Sequence, residues 1–125
     1  VRADAVAIRK VWDSVPSVGC TGACADYCTA IGMSEGELEL VRERIPSFPD
    51  SEEGLRRLAE DPAGYKCPAL VLGRCAVYDV RPTVCRIFGN AETLPCPHGC
   101  EPPKLTQQQA SAIMDAAREA GGPLA

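Results

Sequence analysis

Eight cysteines in 125 residues constrain this chain more than any other feature. They run as C-x3-C-x3-C at Cys20, Cys24 and Cys28, then Cys67, Cys75 and Cys85, then Cys96 and Cys100. Such thiols are buried small hydrophobes, disulfides or metal ligands. Cysteine packs well as a small apolar side chain, but eight of them, several closely spaced, exceed what packing asks for. An even count in a small chain is the pattern of an oxidised scaffold. Against it stand helices with ordinary caps and the N-terminal run "VRADAVAIRKVWDSV", which is charged and amphipathic, without the apolar stretch of a secretory leader. Lys66, Arg74, Arg81 and Arg86 surround the middle cysteines, and nearby cations favour thiolates. Metal ligation by all eight cysteines is the reading these features favour.

The composition supports a staple of some kind. Of the apolar 46%, 17 residues are Ala and 8 are Cys, which leaves 32 that are Val, Ile, Leu, Met or aromatic. Eleven Gly and eleven Pro add irregular backbone. A core this thin calls for a covalent or metal cross-link. The length suits one domain over residues 1–125. The expected fold is a compact, metal-stapled domain, mainly α with a small β-hairpin.

Apolar periodicity and caps place the elements. Residues 2–14 read as a helix with Val6, Ile8, Val11, Trp12 and Val15 on its apolar face, ended by Pro16 and Gly19. Ser34 and Glu37 form a capping-box pattern ahead of "SEGELELVRERI", with Leu38, Val41 and Ile45 inward. A third helix starts at Asp50 or Ser51, turns Leu55, Leu58 and Ala59 inward and stops before Pro62. "PALVLGRCAVYD" reads as a β-hairpin turning at Gly73-Arg74, with Val71 and Leu72 on one arm and Val77 and Tyr78 on the other. Tyr78 is expected in the core. Pro82 opens a short helix over 83–88. Residues 89–105 read as loop. Thr106 and Gln109 cap a last helix whose face is Ala110, Ile113, Met114 and Ala117, ended by Gly121-Gly122-Pro123.

The charge of -4 argues against general nucleic-acid binding. No run of 18 apolar residues is present, so no membrane span is expected. The expected location is the cytoplasm, where lasting structural disulfides are uncommon. Nine acids against four arginines over residues 34–61 give two solvated helix faces, which a protein partner, not identified by the sequence, would meet.

Four thiolates hold either zinc or an iron–sulfur cluster. Zinc knuckles usually use C-x2-C, and this chain has none. The wider C-x3-C-x3-C spacing leans toward the larger cluster, a [4Fe–4S], with zinc as the alternative. His98 lies inside "CPHGC", but eight thiols already suffice for two four-ligand sites.

"CPALVLGRCAVYDVRPTVCRIFG", residues 67–89, resembles the second half of the YkgJ family, a zinc- or iron-chelating cysteine-cluster domain. The matching residues are Cys67, Pro68, Leu70, Cys75, Val77, Tyr78, Arg81, Pro82, Cys85, Arg86 and Phe88. "MSEGELELV" is similar to that family's helix between its two cysteine clusters. The resemblance covers about residues 20–90, and the outer helices flank it. It departs in the first cluster, "CTGACADYC", where Ala25 stands in place of the second of two adjacent cysteines. The resemblance implies metal chelation. A flagellin lysine N-methylase carries a similar domain, but no Gly-rich loop of a methyl-donor site follows a strand here.

Three functions remain open. The first is an Fe–S module for electron transfer, sensing or an accessory role, with Arg81 and Arg86 bonding to cluster sulfur or to local carbonyls. The second is a structural zinc domain with the same ligands. The third is a metal-dependent enzyme with an open coordination position, the least favoured because no general base stands out.

Overall fold

In a computed structural model, the described residues are 5–16, 29, 31–72, 74–92, 94–95 and 103–125. Within them the protein is mainly α, with two minimal β-hairpins.

Helix α1 (Ala5–Asp13) buries Ile8 and Trp12. Val6, expected on that face, is 68% exposed, because the helix turns only the Ile8–Trp12 edge inward. Helix α2 (Glu35–Arg42) starts as its capping box demands. The Ser34 side chain accepts from the Glu37 N–H, and the Glu37 carboxylate accepts from the Ser34 N–H. Leu38, Leu40 and Val41 are buried. Helix α3 (Ser51–Glu60) is capped by Asp50, but its inward face is not the one its leucines suggest. Ser51 and Gly54 are buried, Leu58 is half-buried, and Leu55 and Ala59 are exposed. The helix is held at its first turn, where the Ser51 N–H donates to the Ala125 carbonyl; small residues allow that approach, and Leu55 on the next turn faces outward.

Strands β1 (Leu70–Val71) and β2 (Arg74–Cys75) pair antiparallel, with Leu70 opposite Cys75 and Val71 opposite Arg74. The reversal comes one residue earlier than expected. Leu72 takes the turn at φ 51 and is 98% exposed, so it is not on an arm. Val77 is buried, but it lies beyond the strand and leads into a 3₁₀ turn, Tyr78–Val80. Tyr78 is 57% exposed, not a core residue; the tight turn carries Val80 inward and leaves the tyrosine ring outside, under the Arg81 guanidinium at 3.8 Å.

Helix α4 (Thr83–Ile87) follows Pro82. A second hairpin, β3 (Asn90–Ala91) with β4 (Leu94–Pro95), occupies part of the stretch expected as loop. Gly89 at φ 83 turns the chain into it, and Asn90, fully buried, donates from its side-chain amide to the Pro16 carbonyl. Helix α5 (Gln107–Gly121) has the full Thr106–Gln109 capping box, buries Ala110 and Ala117, and ends at Gly122, φ 90. The Ser34 hydroxyl lies so close to Gly121 that any Cβ there would collide with it.

Among the described residues, two buried apolar clusters result. The larger gathers Ile8, Trp12, Met33, Leu38, Val41 and Phe48 with Ala69, Val77 and Val80. The smaller contains Ile87, Ala91, Leu105 and Ala110, with Val15, Ile113 and Met114 packed on it.

Candidate metal centre

Cys67, Cys75 and Cys85 lie among the described residues; Cys20, Cys24, Cys28, Cys96, Cys100 and His98 lie outside them. Cys67 closes the stretch after α3, and its carbonyl accepts from the Leu70 N–H at 2.9 Å, which turns the chain into β1. Cys75 stands on β2 across from Leu70. Both thiols are half-buried and lean on the larger cluster. Cys85 is also half-buried, on α4, whose Ile87 belongs to the smaller cluster. No disulfide joins any two of the three. Among the described residues, no group of three or more His, Cys, Asp or Glu side chains is placed to hold a metal ion.

The surroundings bear on thiolate chemistry. The Tyr65 hydroxyl is pushed up mainly by burial; Arg57 opposes the shift and Cys67 adds to it. The Arg86 guanidinium is pulled down by burial first and by Arg81 second, with Cys85, Asp13 and Glu37 acting the other way. The two arginines expected to bond sulfur or carbonyls bond carbonyls. Arg81 Nε donates to the Tyr78 carbonyl at 3.0 Å. Arg86 donates to the Arg81 carbonyl at 2.8 Å and the Asp79 carbonyl at 3.1 Å. Its guanidinium also stacks on Trp12, 4.2 Å from the ring centre, a cation–π contact favoured by partial desolvation.

Beneath this arginine is a residue that the sequence placed both in a cap and among the acids of a solvated helix face, and its burial removes it from that face. Glu37 is 2% exposed. One carboxylate oxygen accepts from the Ser34 N–H and lies 3.0 Å from the Ser34 hydroxyl. The other accepts from the Thr83 N–H at 2.5 Å, the Thr83 hydroxyl at 2.7 Å and the Trp12 indole at 3.3 Å. The indole N–H is shared with Thr83 Oγ1 at 3.2 Å. A buried carboxylate is costly unless its lone pairs are met, and here donors from three elements meet them. The sequence signal reached Ser34, three residues away; nothing local announces Thr83, 46 residues on.

An open groove between α4, β4 and α5, lined in part by Val84, Ile87, Leu94, Ala110 and Met114, contains none of the three described cysteines. Among the described residues, no helix is long and apolar enough to cross a membrane. Comparison with protein-family models, with curated proteins and with solved structures gave no match.

Proposed function

We propose that this chain is a small cysteine-rich module of the YkgJ type, whose thiolates hold an iron–sulfur cluster in an electron-transfer, sensing or accessory role. The observation that carries this is the region from Cys67 to Cys85. Three half-buried thiols stand on successive short pieces of backbone, none of which is long enough to persist by itself. A cationic side chain, Arg86, adjoins the third. Such pieces need a staple, and thiols are what they carry. Cys67, Cys75 and Cys85 are the first of the proposed ligands and Cys20, Cys24 and Cys28 the next, with Cys96 and Cys100 completing the set. Arg81 and Arg86 would offset the negative charge of the four-thiolate site while bracing the carbonyls around it. A bound cluster would add one-electron redox chemistry. The module would act in the cytoplasm on a protein partner, with Glu35, Glu39, Glu43 and Glu52 exposed on α2, its C-cap and α3, and without nucleic acid.

A four-thiolate zinc site is the second reading, since the same donor set suits it. Elemental analysis with a visible spectrum, on protein purified without oxygen or a metal-affinity tag, separates the two. Iron with sulfide and sulfur-to-iron absorption supports the cluster. Stoichiometric zinc without colour replaces it with the structural site, and neither metal together with no free thiols returns the cysteines to disulfide chemistry. Cys85→Ser should lose both metal and fold, because binding energy in such a site is largely folding energy. A Cys85→Ser protein with full metal and an unchanged Tm removes that ligand.

A further inference from the structure

We infer that Glu37 is a positioning residue for Cys85: it locks the short helix that carries this thiol to the unit that carries Cys67 and Cys75. The inference rests on the metal-binding reading for its functional meaning, but not for its geometry.

Helix α4 has five residues, and its N-cap, Pro82, offers no side-chain hydrogen bond. A helix so short does not hold its own position, and its first N–H groups need acceptors from elsewhere. The Glu37 carboxylate, sent from the first turn of α2, supplies one. It takes both the N–H and the hydroxyl of Thr83, the first residue of α4. Thr83 is fully buried, two residues before Cys85. On the other side of Cys85, Arg86 stacks on the same Trp12 indole that donates to Glu37. The residues on either side of the thiol are therefore tied to one buried assembly of Glu37, Trp12 and Thr83. That assembly joins the larger cluster, against which Cys67 and Cys75 pack, to the helix that packs into the smaller one. Loosening it would move one ligand relative to the other two.

The test is site-resolved alkylation of the purified protein, read by mass spectrometry as the ratio of the Cys85 rate to the Cys75 rate, together with metal release to a chelator. Glu37→Gln keeps the shape but places an amide where only acceptors fit. It should raise the ratio, and speed metal release, by about tenfold, the scale of losing an outer support of a ligand. Thr83→Val should shift both in the same direction by less, and it carries the test if Glu37→Gln does not fold. Ser34→Ala, which touches Glu37 but not Thr83, should leave the ratio unchanged. A ratio that stays constant in Glu37→Gln or Thr83→Val, or rises equally in Ser34→Ala, overturns the inference, since general destabilisation exposes Cys75 and Cys85 together. If the wild-type protein contains no metal, the metal reading fails while the alkylation ratio still decides the role of Glu37.

Discussion

The two apolar clusters differ in what they are made of and in what they carry. The larger is built from Ile8, Trp12, Leu38, Val41 and Phe48, long side chains from α1, α2 and the segment after α2. It supports Cys67 and Cys75. The smaller has Ile87 and Leu105 with two alanines, Ala91 and Ala110, and takes in the helix of Cys85. The proposed ligand set thus spans a strong unit and a weak one, which share α5 and are tied at α4 by a polar contact. On that proposal, stability would be set in the larger cluster and ligand geometry at the join.

Truncation should show the difference most clearly. Ile8 is 1% exposed within the larger cluster, and Ile8→Ala should cost toward the upper end of the about 2–5 kcal/mol typical of such changes. Against a total of about 5–15 kcal/mol for a domain, that removes a large fraction of the stability. Ile87→Ala should fall at the lower end, because small neighbours can close over the gap. Urea midpoints of the two variants give the comparison directly; equal losses would show that the clusters are not distinct in strength.

The two capping boxes refine the contrast. Both are complete, but Ser34 is buried and its Glu37 partner serves the join, whereas Thr106 is exposed. Ser34→Ala should cost about 1–2 kcal/mol and Thr106→Ala less than about 1 kcal/mol. Thermal melts of both would check the order, and a reversal would mean that the α5 cap contributes more than its exposure indicates.

What could be read from the sequence was local. Ser34 with Glu37, Asp50 with Glu53, and Thr106 with Gln109 are contacts across three residues, and each fixed a helix start. The mainly α fold and the first hairpin follow from such signals and from apolar periodicity. What could not be read was which neighbour each face would meet. The leucines of α3 have helical spacing, yet Leu55 is 59% exposed because the helix docks through Ser51 and Gly54. Tyr78 looked like a core residue, and a 3₁₀ turn put it outside. The β3–β4 hairpin has two residues per strand, too few for an alternating pattern. At the candidate site, Cys67, Cys75 and Cys85 and the carbonyl bonds of the arginines were within reach of the sequence. The buried carboxylate beneath them was not, because its acceptor role depends on Trp12, 25 residues before it, and Thr83, 46 residues after.

A smaller effect is expected at the hairpin that carries Cys75. Leu72 has a positive φ, unfavourable for a branched side chain, and gains nothing from burial at 98% exposure. Leu72→Asn, a residue that tolerates this conformation, should stabilise the protein by less than about 1 kcal/mol. A loss in the urea midpoint would show that Leu72 makes a contact worth keeping.

The smallest effect belongs to a second tie near the join, and its weakness sharpens the case for the first. Arg44, just beyond α2, grips Asp79 in the 3₁₀ turn through two contacts, one at 2.6 Å. Hydrogen bonding to Arg44 holds the Asp79 carboxyl below its ordinary range, and Arg56 and then Arg57 do the same for Glu53. A carboxyl whose pKa is lower folded than unfolded adds stability above its unfolded pKa and loses that contribution as pH falls through the folded value. Acid should therefore weaken the protein through both groups. Both pairs are exposed, however, so solvent and salt screen them. Asp79→Asn should leave the urea midpoint nearly unchanged at neutral pH in high salt, with a small decrease in low salt that vanishes in acid. Glu37→Gln and Asp79→Asn change one carboxylate each near the same short helix. If the exposed change loosened Cys85 as much as the buried one, the join would depend on charge alone. A marked difference would locate its strength in the desolvated contacts among Glu37, Thr83 and Trp12.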